Sequence, residues 1–210
     1  MILSKKVAIL DYGAGNLHSV CQAFSYLGAT VALISDPDDL HDFSHLVLPG
    51  VGSFRRAMHL IKQRGLDDAL HQQVRAGIPL LGICLGMQLL ARRSSEDGET
   101  NGLALIDADV DRFGFDATQT NLKIPHVGFD SVMPVEDSIL MKGFDAEVDF
   151  YFTHSYRMLC KDSSAVAASS YHGECYVSAV EIGNVVGTQF HPEKSQANGL
   201  TLLQNFLELF

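Results

Sequence analysis

The chain reads as an α/β protein: one domain built on a mostly parallel open sheet flanked by helices, with extra β-strands in its second half. Two observations predict this. Short apolar runs alternate with segments of helical periodicity through the first ninety residues. That alternation forces parallel pairing, because a crossover helix returns the chain to the same edge of a sheet. After Ser94 the texture changes to closely spaced short strands with turns between them.

In order, residues 7–10 form a first strand that ends at Asp11-Tyr12-Gly13. Leu17, Val20, Phe24 and Leu27 recur at helical spacing and stop at Gly28, a helix-ending residue. Residues 30–34 give a second strand, followed by the turn Asp36-Pro37-Asp38, and 45–48 give a third that runs out in Pro49-Gly50-Val51-Gly52. Helical segments follow at 54–64 and 66–75, and Gly77-Ile78-Pro79 opens a fourth strand. The second half is expected to hold strands at 103–106, 110–113, 130–133, 151–155, 165–170, 177–182 and 185–189, then a closing helix near 200–210. Two polar stretches, 94–102 and 115–121, read as soft loops. No internal repeat, low-complexity tract or linker interrupts the 210 residues, so a single domain over 1–210 is expected.

Composition narrows the function classes. With 47% hydrophobic and 19% charged residues the chain is ordinary for a globular protein and unlike a disordered one. A net charge of −10 with no basic cluster disfavours nucleic acid and anionic membrane surfaces as partners. The start MILSKKVAILDYG places an acidic residue soon after a short apolar run, which reads as a strand and not as a signal peptide. No uncharged run reaches the length of a membrane span. Cys21, Cys84, Cys160 and Cys175 lie far apart with no C-x-x-C pair, so reduced thiols in a cytoplasmic enzyme, without metal or cofactor, are expected.

The chemistry-bearing stretch is Gly82-Ile83-Cys84-Leu85-Gly86-Met87-Gln88, directly after an apolar run. Glycines on both sides of a cysteine allow a tight strand-to-helix turn that lifts a nucleophile above a sheet. The positive end of the following helix favours thiolate. A small buried cysteine between core strand and helix fits the same pattern. Downstream, His191-Pro192-Glu193 follows an apolar strand. The proline keeps the preceding histidine out of the helical region, so ring and carboxylate can project from one extended turn. The carboxylate can then hold one ring nitrogen while the other faces the thiol, as a cysteine nucleophile requires.

GICLGMQ and QFHPEKS, in that order, make the chain similar to the class I glutamine amidotransferases, which hydrolyse glutamine through a cysteine thioester and pass ammonia to a partner enzyme. DYGAGNLHSV, LPGVGSF, IPHVGF and YFTHSY extend the likeness over nearly the whole chain, toward the glutaminase subunits that serve histidine biosynthesis. The resemblance implies Cys84 as nucleophile, His191 as general base and then acid, and Glu193 as the orienting carboxylate. It implies an oxyanion hole of backbone N–H groups at Leu85 and along Gly50, Val51 and Gly52. Gln88, Glu96 and the backbone at Ser155 and Tyr156 are implied to bind glutamine.

The partner implied is a cyclase of (β/α)₈-barrel type in a heterodimer, faced by Tyr12, Asn16, His126, Phe129 and Lys194. Asn16 equally fits a helix cap, Lys194 a solvated surface residue, and His154 either a core residue or a substrate contact. Because ammonia must be kept from water, the glutaminase is expected to be nearly idle alone, with activation a population shift in 49–52. The chain length suits a separate glutaminase subunit. Phe129 stands where the family usually carries tryptophan, and the chain has no tryptophan at all. Phenylalanine keeps the apolar face but loses the indole N–H, so the pathway served stays open: histidine biosynthesis, or amidination of a surface-polysaccharide sugar. A stand-alone γ-glutamyl hydrolase and a non-enzymatic regulatory subunit are the readings outside that class.

Overall fold

The computed structural model describes residues 5–115 and 122–210. The first half is β1 (Lys6–Leu10), α1 (Leu17–Tyr26), β2 (Thr30–Ile34), β3 (His45–Gly50), α2 (Phe54–Gln63), α3 (Leu66–Arg75), β4 (Leu80–Cys84) and the short α4 (Leu85–Leu89). The second half holds β5 (Arg93–Ser94), β6 (Thr100–Asn101), β7 (Ala108–Arg112), β8 (His126–Pro134), β9 (Val148–His154), β10 (Tyr156–Cys160), β11 (Val166–Tyr171), β12 (Cys175–Ile182), β13 (Val185–Thr188) and α5 (Gln196–Leu209).

The described strands share one sheet ordered β2-β1-β3-β4-β13-β12-β10-β7-β5-β6, with β11, β8 and β9 branching from β12. Strands β2, β1, β3, β4 and β13 run parallel, as the strand–helix alternation predicts. From β13 to β12, and on through β10 and β7, the pairing is antiparallel. Because side chains alternate across a strand, Ala8 and Leu10 enter the core beneath α2–α4, while Val7 and Ile9 enter the one beneath α1 and α5. Cover on both faces is why these strands read as unbroken apolar runs.

Register positions the chemistry. Strand β3 runs on through Pro49 and Gly50, pairing Gly50 with Cys84, and β13 pairs Thr188 with Ile83 on the other side of β4. The carboxyl ends of three adjacent parallel strands therefore meet at Cys84, where ligands gather in open parallel sheets.

Several expected elements are corrected. Residues 103–106 are not a strand. Their backbone N–H groups bond the carbonyls of Leu89, Leu90 and Ala91, closing the C-terminal end of α4, and apolar side chains buried in that role mimic a strand in sequence. Strand β10 follows β9 after the single residue Ser155, which hides the break. The stretch 94–102 is a hairpin, β5 pairing with β6, and not a soft loop. In the other expected loop, Phe115 packs its ring against Phe113 and His172 at 5.7 and 5.6 Å; 116–121 lie outside the described residues.

Candidate active site

Cys84 is the last residue of β4 and the cap of α4, with φ +55° and ψ −110°. A side chain rarely tolerates that conformation, and the strain is characteristic of a nucleophile held on a sharp turn. The flanking glycines make the turn possible. A Cβ on Gly82 would lie 2.7 Å from the backbone of Gly86 and Met87, and one on Gly86 would lie 1.7 Å from the Leu48 carbonyl oxygen. Helix and strand backbones touch there, with no room for a methyl group.

The His191–Glu193 segment is pinned from two sides. The His191 N–H donates to the Tyr151 carbonyl at 2.9 Å, and Ser195 Oγ donates to the His191 carbonyl at 2.7 Å. Gly199 of α5 packs directly on Pro192, where a Cβ would fall 1.8 Å from its carbonyl oxygen. Within this frame His191 Nδ1 and Glu193 Oε1 lie 2.8 Å apart, with side chains only 2% and 1% exposed.

Carboxylate oxygen only accepts, so Nδ1 carries a proton and Nε2 is the ring nitrogen left to exchange a proton with the thiol. Nε2 is buried and makes no hydrogen bond of normal geometry, yet Cys84 is near enough to act on the ring. Burial disfavours the imidazolium, but the Cys84 sulfur as thiolate and the Glu193 carboxylate outweigh it and push His191 up to about 9. The sulfur itself lies 3.8 Å from the Thr153 carbonyl and 3.8 Å from Gln189 Nε2.

A cavity of 340 Å³ opens over the sulfur, lined by Val51, Gly52, Cys84, Leu85, Gln88, Glu96, Pro125 and residues 153–156. Among the described residues a larger hollow of 560 Å³ lies along 133–146 but holds no thiol or imidazole. Glu96 reaches the cavity from the β5–β6 hairpin. Its Oε2 accepts from the Phe54 N–H at 2.8 Å, at the start of α2, and burial nevertheless holds its carboxyl above the usual range. Gln88 is buried, and its Nε2 donates to the Tyr156 carbonyl at 3.0 Å and to Gln189 Oε1 at 2.9 Å. The Val51–Gly52 backbone faces the same space, with Gly52 at φ +99°. Gly50 is set back against Tyr12 and the start of α4, where a Cβ would fall 2.6 Å from the Tyr12 hydroxyl.

Two expected partner residues are corrected. Tyr12 is fully buried and its hydroxyl donates to the Pro49 carbonyl at 2.8 Å, so its side chain braces the strand beside the cavity and does not face outward. His126 is 4% exposed, stacked between Phe152 and His172 at 4.9 and 4.0 Å. Both were implied by the family resemblance alone, and in the structure both side chains turn into aromatic or backbone packing. Asn16 is exposed at the N-cap of α1, but its Nδ2 donates to Ser19 Oγ instead of its carbonyl capping the backbone. Phe129 and Lys194 are exposed on the outer face of β8 and β9, joined through Tyr151: the Phe129 ring is 5.6 Å from it, and Lys194 Nζ lies 5.5 Å over it.

His154 is a buried cavity residue whose Nδ1 donates to the Tyr156 carbonyl at 2.9 Å and whose Nε2 lies 3.3 Å from His126 Nδ1. Burial pulls it down to about 3, so it is neutral at neutral pH. His126, Asp130 and His172 bring ligand atoms within 4.8 Å of one another. The His126 and His172 rings are stacked at only 18°, so their in-plane lone pairs do not converge as a tetrahedral ion requires.

With a strained thiol over a cavity and a buried imidazole–carboxylate pair in place, the comparisons with known proteins decide the family. The model of the family described as glutamine amidotransferase class-I matches residues 8–209. The chain belongs to that family. It is 44% identical over 204 residues to imidazole glycerol phosphate synthase subunit HisH 1 of Campylobacter jejuni, covering 97% of this chain and 100% of that protein. Over 209 residues it is 44% identical to subunit HisH 2 of Nitrobacter winogradskyi, covering 97% and 98%. A solved structure described as a glutamine amidotransferase superposes with a TM-score of 0.76 at 22% identity, covering 97% of each chain, a likeness of fold.

Gln189 lies beside the sulfur, a contact that sequence reasoning passed over. It reads as a strand residue just ahead of the histidine, and its contact with the sulfur joins positions 105 apart.

Proposed function

We propose that this chain is the glutaminase subunit of an imidazole glycerol phosphate synthase, hydrolysing glutamine to glutamate and ammonia for a (β/α)₈-barrel cyclase partner in the cytoplasm. The observation that carries the reading is the buried 2.8 Å contact between His191 and Glu193, with the ring's free nitrogen on hand for the strained Cys84. Support for the pathway comes from the relatives that carry the synthase name, matched over nearly all of both chains.

In the first step Nε2 of His191 takes the thiol proton and Sγ attacks the carboxamide carbon of glutamine. Negative charge moves to the carboxamide oxygen, where the backbone N–H of Leu85 and those of the 50–52 segment are the proposed donors; losing one such donor costs about 3 kcal/mol of barrier. Collapse expels the nitrogen, which leaves as ammonia on receiving the proton from His191. Water, deprotonated by Nε2 of His191, then opens the thioester to glutamate, and the proton returned by His191 restores the thiol. Glu193 holds the ring's tautomer and offsets its positive charge.

Gln88 and Glu96 are the proposed substrate contacts. With both Gln88 N–H groups spent on Tyr156 and Gln189, its Oε1 is the atom left to accept from substrate, and the Glu96 carboxylate suits an ammonium group. The exposed strip of Val127, Phe129 and Lys194 is the proposed partner face: apolar with a positive rim, on an otherwise acidic chain. A screen of ammonia release tests the reading, with glutamine set against γ-glutamyl peptides, each with and without the cyclase. Glutamine turnover that rises when the cyclase and its ligand are added is the expected result. Preference for γ-glutamyl peptides, or full glutamine turnover without the cyclase, contradicts it.

A further inference from the structure

The geometry points to Gln189 as the residue that stabilises the Cys84 thiolate, through a side-chain N–H held on the sulfur by Gln88. This rests on Cys84 being the nucleophile and adds a group that the triad does not contain.

Three buried side chains form a chain of hydrogen bonds. The Tyr156 carbonyl can only accept, so the Gln88 atom 3.0 Å from it is the amide nitrogen. That same nitrogen lies 2.9 Å from Gln189, so the Gln189 atom facing it is the carbonyl oxygen. The remaining atom of Gln189, 3.8 Å from Sγ, is therefore its NH₂ group. A backbone carbonyl thus fixes the orientation of both amides, leaving no choice of flip. Gln189 is 0% exposed and Gln88 and Cys84 are each 5% exposed, so the link between the two amides is buried.

The sulfur has two such neighbours with opposite preferences. The Thr153 carbonyl, also at 3.8 Å, can accept only from the protonated thiol. The Gln189 N–H can donate to thiolate, and a hydrogen bond to a charged acceptor is about twice as strong as one to a neutral group. Thr153 therefore favours the resting thiol and Gln189 favours the reactive anion. The chain just beyond β13 explains the placement. Gln189 and His191 share a face two residues apart, while Phe190 between them turns into the core and stacks on Phe150 at 4.0 Å. One stretch of chain thus supplies the base that removes the proton and the donor that receives the charge left behind.

The test is the pH profile of Cys84 alkylation by iodoacetamide, read by mass spectrometry on the full chain, with exposed Cys175 as internal reference. In Gln189→Met the profile moves toward alkali and the rate at neutral pH falls about tenfold, as expected on losing a hydrogen bond to a charged group. Gln189→Glu keeps the acceptor for Gln88, and with it the packing, while replacing the donor, so it moves the profile the same way even where Gln189→Met folds poorly. Cys175 is unchanged in both. A folded variant of either kind whose Cys84 profile matches the parent overturns the proposal. Labelling of the parent chain by a glutamine-analogue electrophile separately tests Cys84 as nucleophile, so failure of that reading is distinguishable from failure of this one.

Discussion

Tyr12 and Pro49 are joined by a 2.8 Å hydrogen bond from a fully buried phenol to the carbonyl at the end of β3. It ties the loop after β1 to the segment whose N–H groups are proposed to hold the oxyanion. Gly50 has no room for a side chain because the phenol fills that space. The Tyr12 side chain thus braces the scaffold of the site.

From this, Tyr12→Phe costs about 1 kcal/mol of stability through one lost hydrogen bond and leaves affinity for the cyclase within about twofold. Phe129→Asp, a charge placed at the centre of an exposed apolar strip, weakens that affinity at least tenfold, about 1.4 kcal/mol. Titration calorimetry against the cyclase checks both. Equal losses of affinity in the two variants would return Tyr12 to the interface.

Glu193→Gln removes the charge that holds the His191 ring. The glutaminase kcat falls about 100-fold, within the usual contribution of a positioned acid–base group, while KM changes little, as measured by steady-state ammonia release. His191 is held up to about 9 against an ordinary 6.5. A raised value means the folded state keeps its proton longer than the unfolded chain. The stabilisation is therefore complete below pH 6.5 and is lost as the pH rises through about 9. Urea unfolding of parent and Glu193→Gln chains should differ most near pH 6 and converge by about pH 10.

His45 and His154 titrate in the opposite sense. Burial holds them down to about 4 and about 3, so they fold neutral. Their contribution is complete above 6.5, the value of an ordinary histidine, and is lost as the pH falls toward 4. Each ring removes up to about 1.4 kcal/mol per pH unit in that window, and urea midpoints measured from pH 7 to pH 5 report the slope. A midpoint flat over this range contradicts the burial of neutral imidazoles.

Gly86→Ala tests the elbow. A Cβ would meet the Leu48 carbonyl oxygen at 1.7 Å, and rigid backbone on both sides cannot yield cheaply. Overpacking of this kind costs about 3 kcal/mol, or roughly 6–12 °C in Tm for a chain of this size, read by differential scanning calorimetry.

What the sequence revealed follows from the range over which each signal acts. The parallel half was legible because β1, β3 and β4 carry unbroken apolar runs with glycine or proline at their ends. The Cys84 elbow was legible because its glycines are adjacent in sequence, and the His191–Glu193 pair because both lie in one turn. Residues 103–106 misled because apolar side chains that seal a helix end look like a strand. The burial of Tyr12 and His126, and the Gln88–Gln189–Cys84 linkage, depend on which strands become neighbours. No local pattern encodes that: Gln88 and Gln189 are 101 residues apart.

The central claim is that Cys84 forms a thioester. Acid quench of the complex turning over radiolabelled glutamine, followed by peptide mapping, reads it directly. The expected result is label on the Cys84 peptide, released by hydroxylamine and absent in Cys84→Ala, which also loses ammonia release. Undiminished ammonia release by Cys84→Ala, or label that maps to another residue, would contradict it.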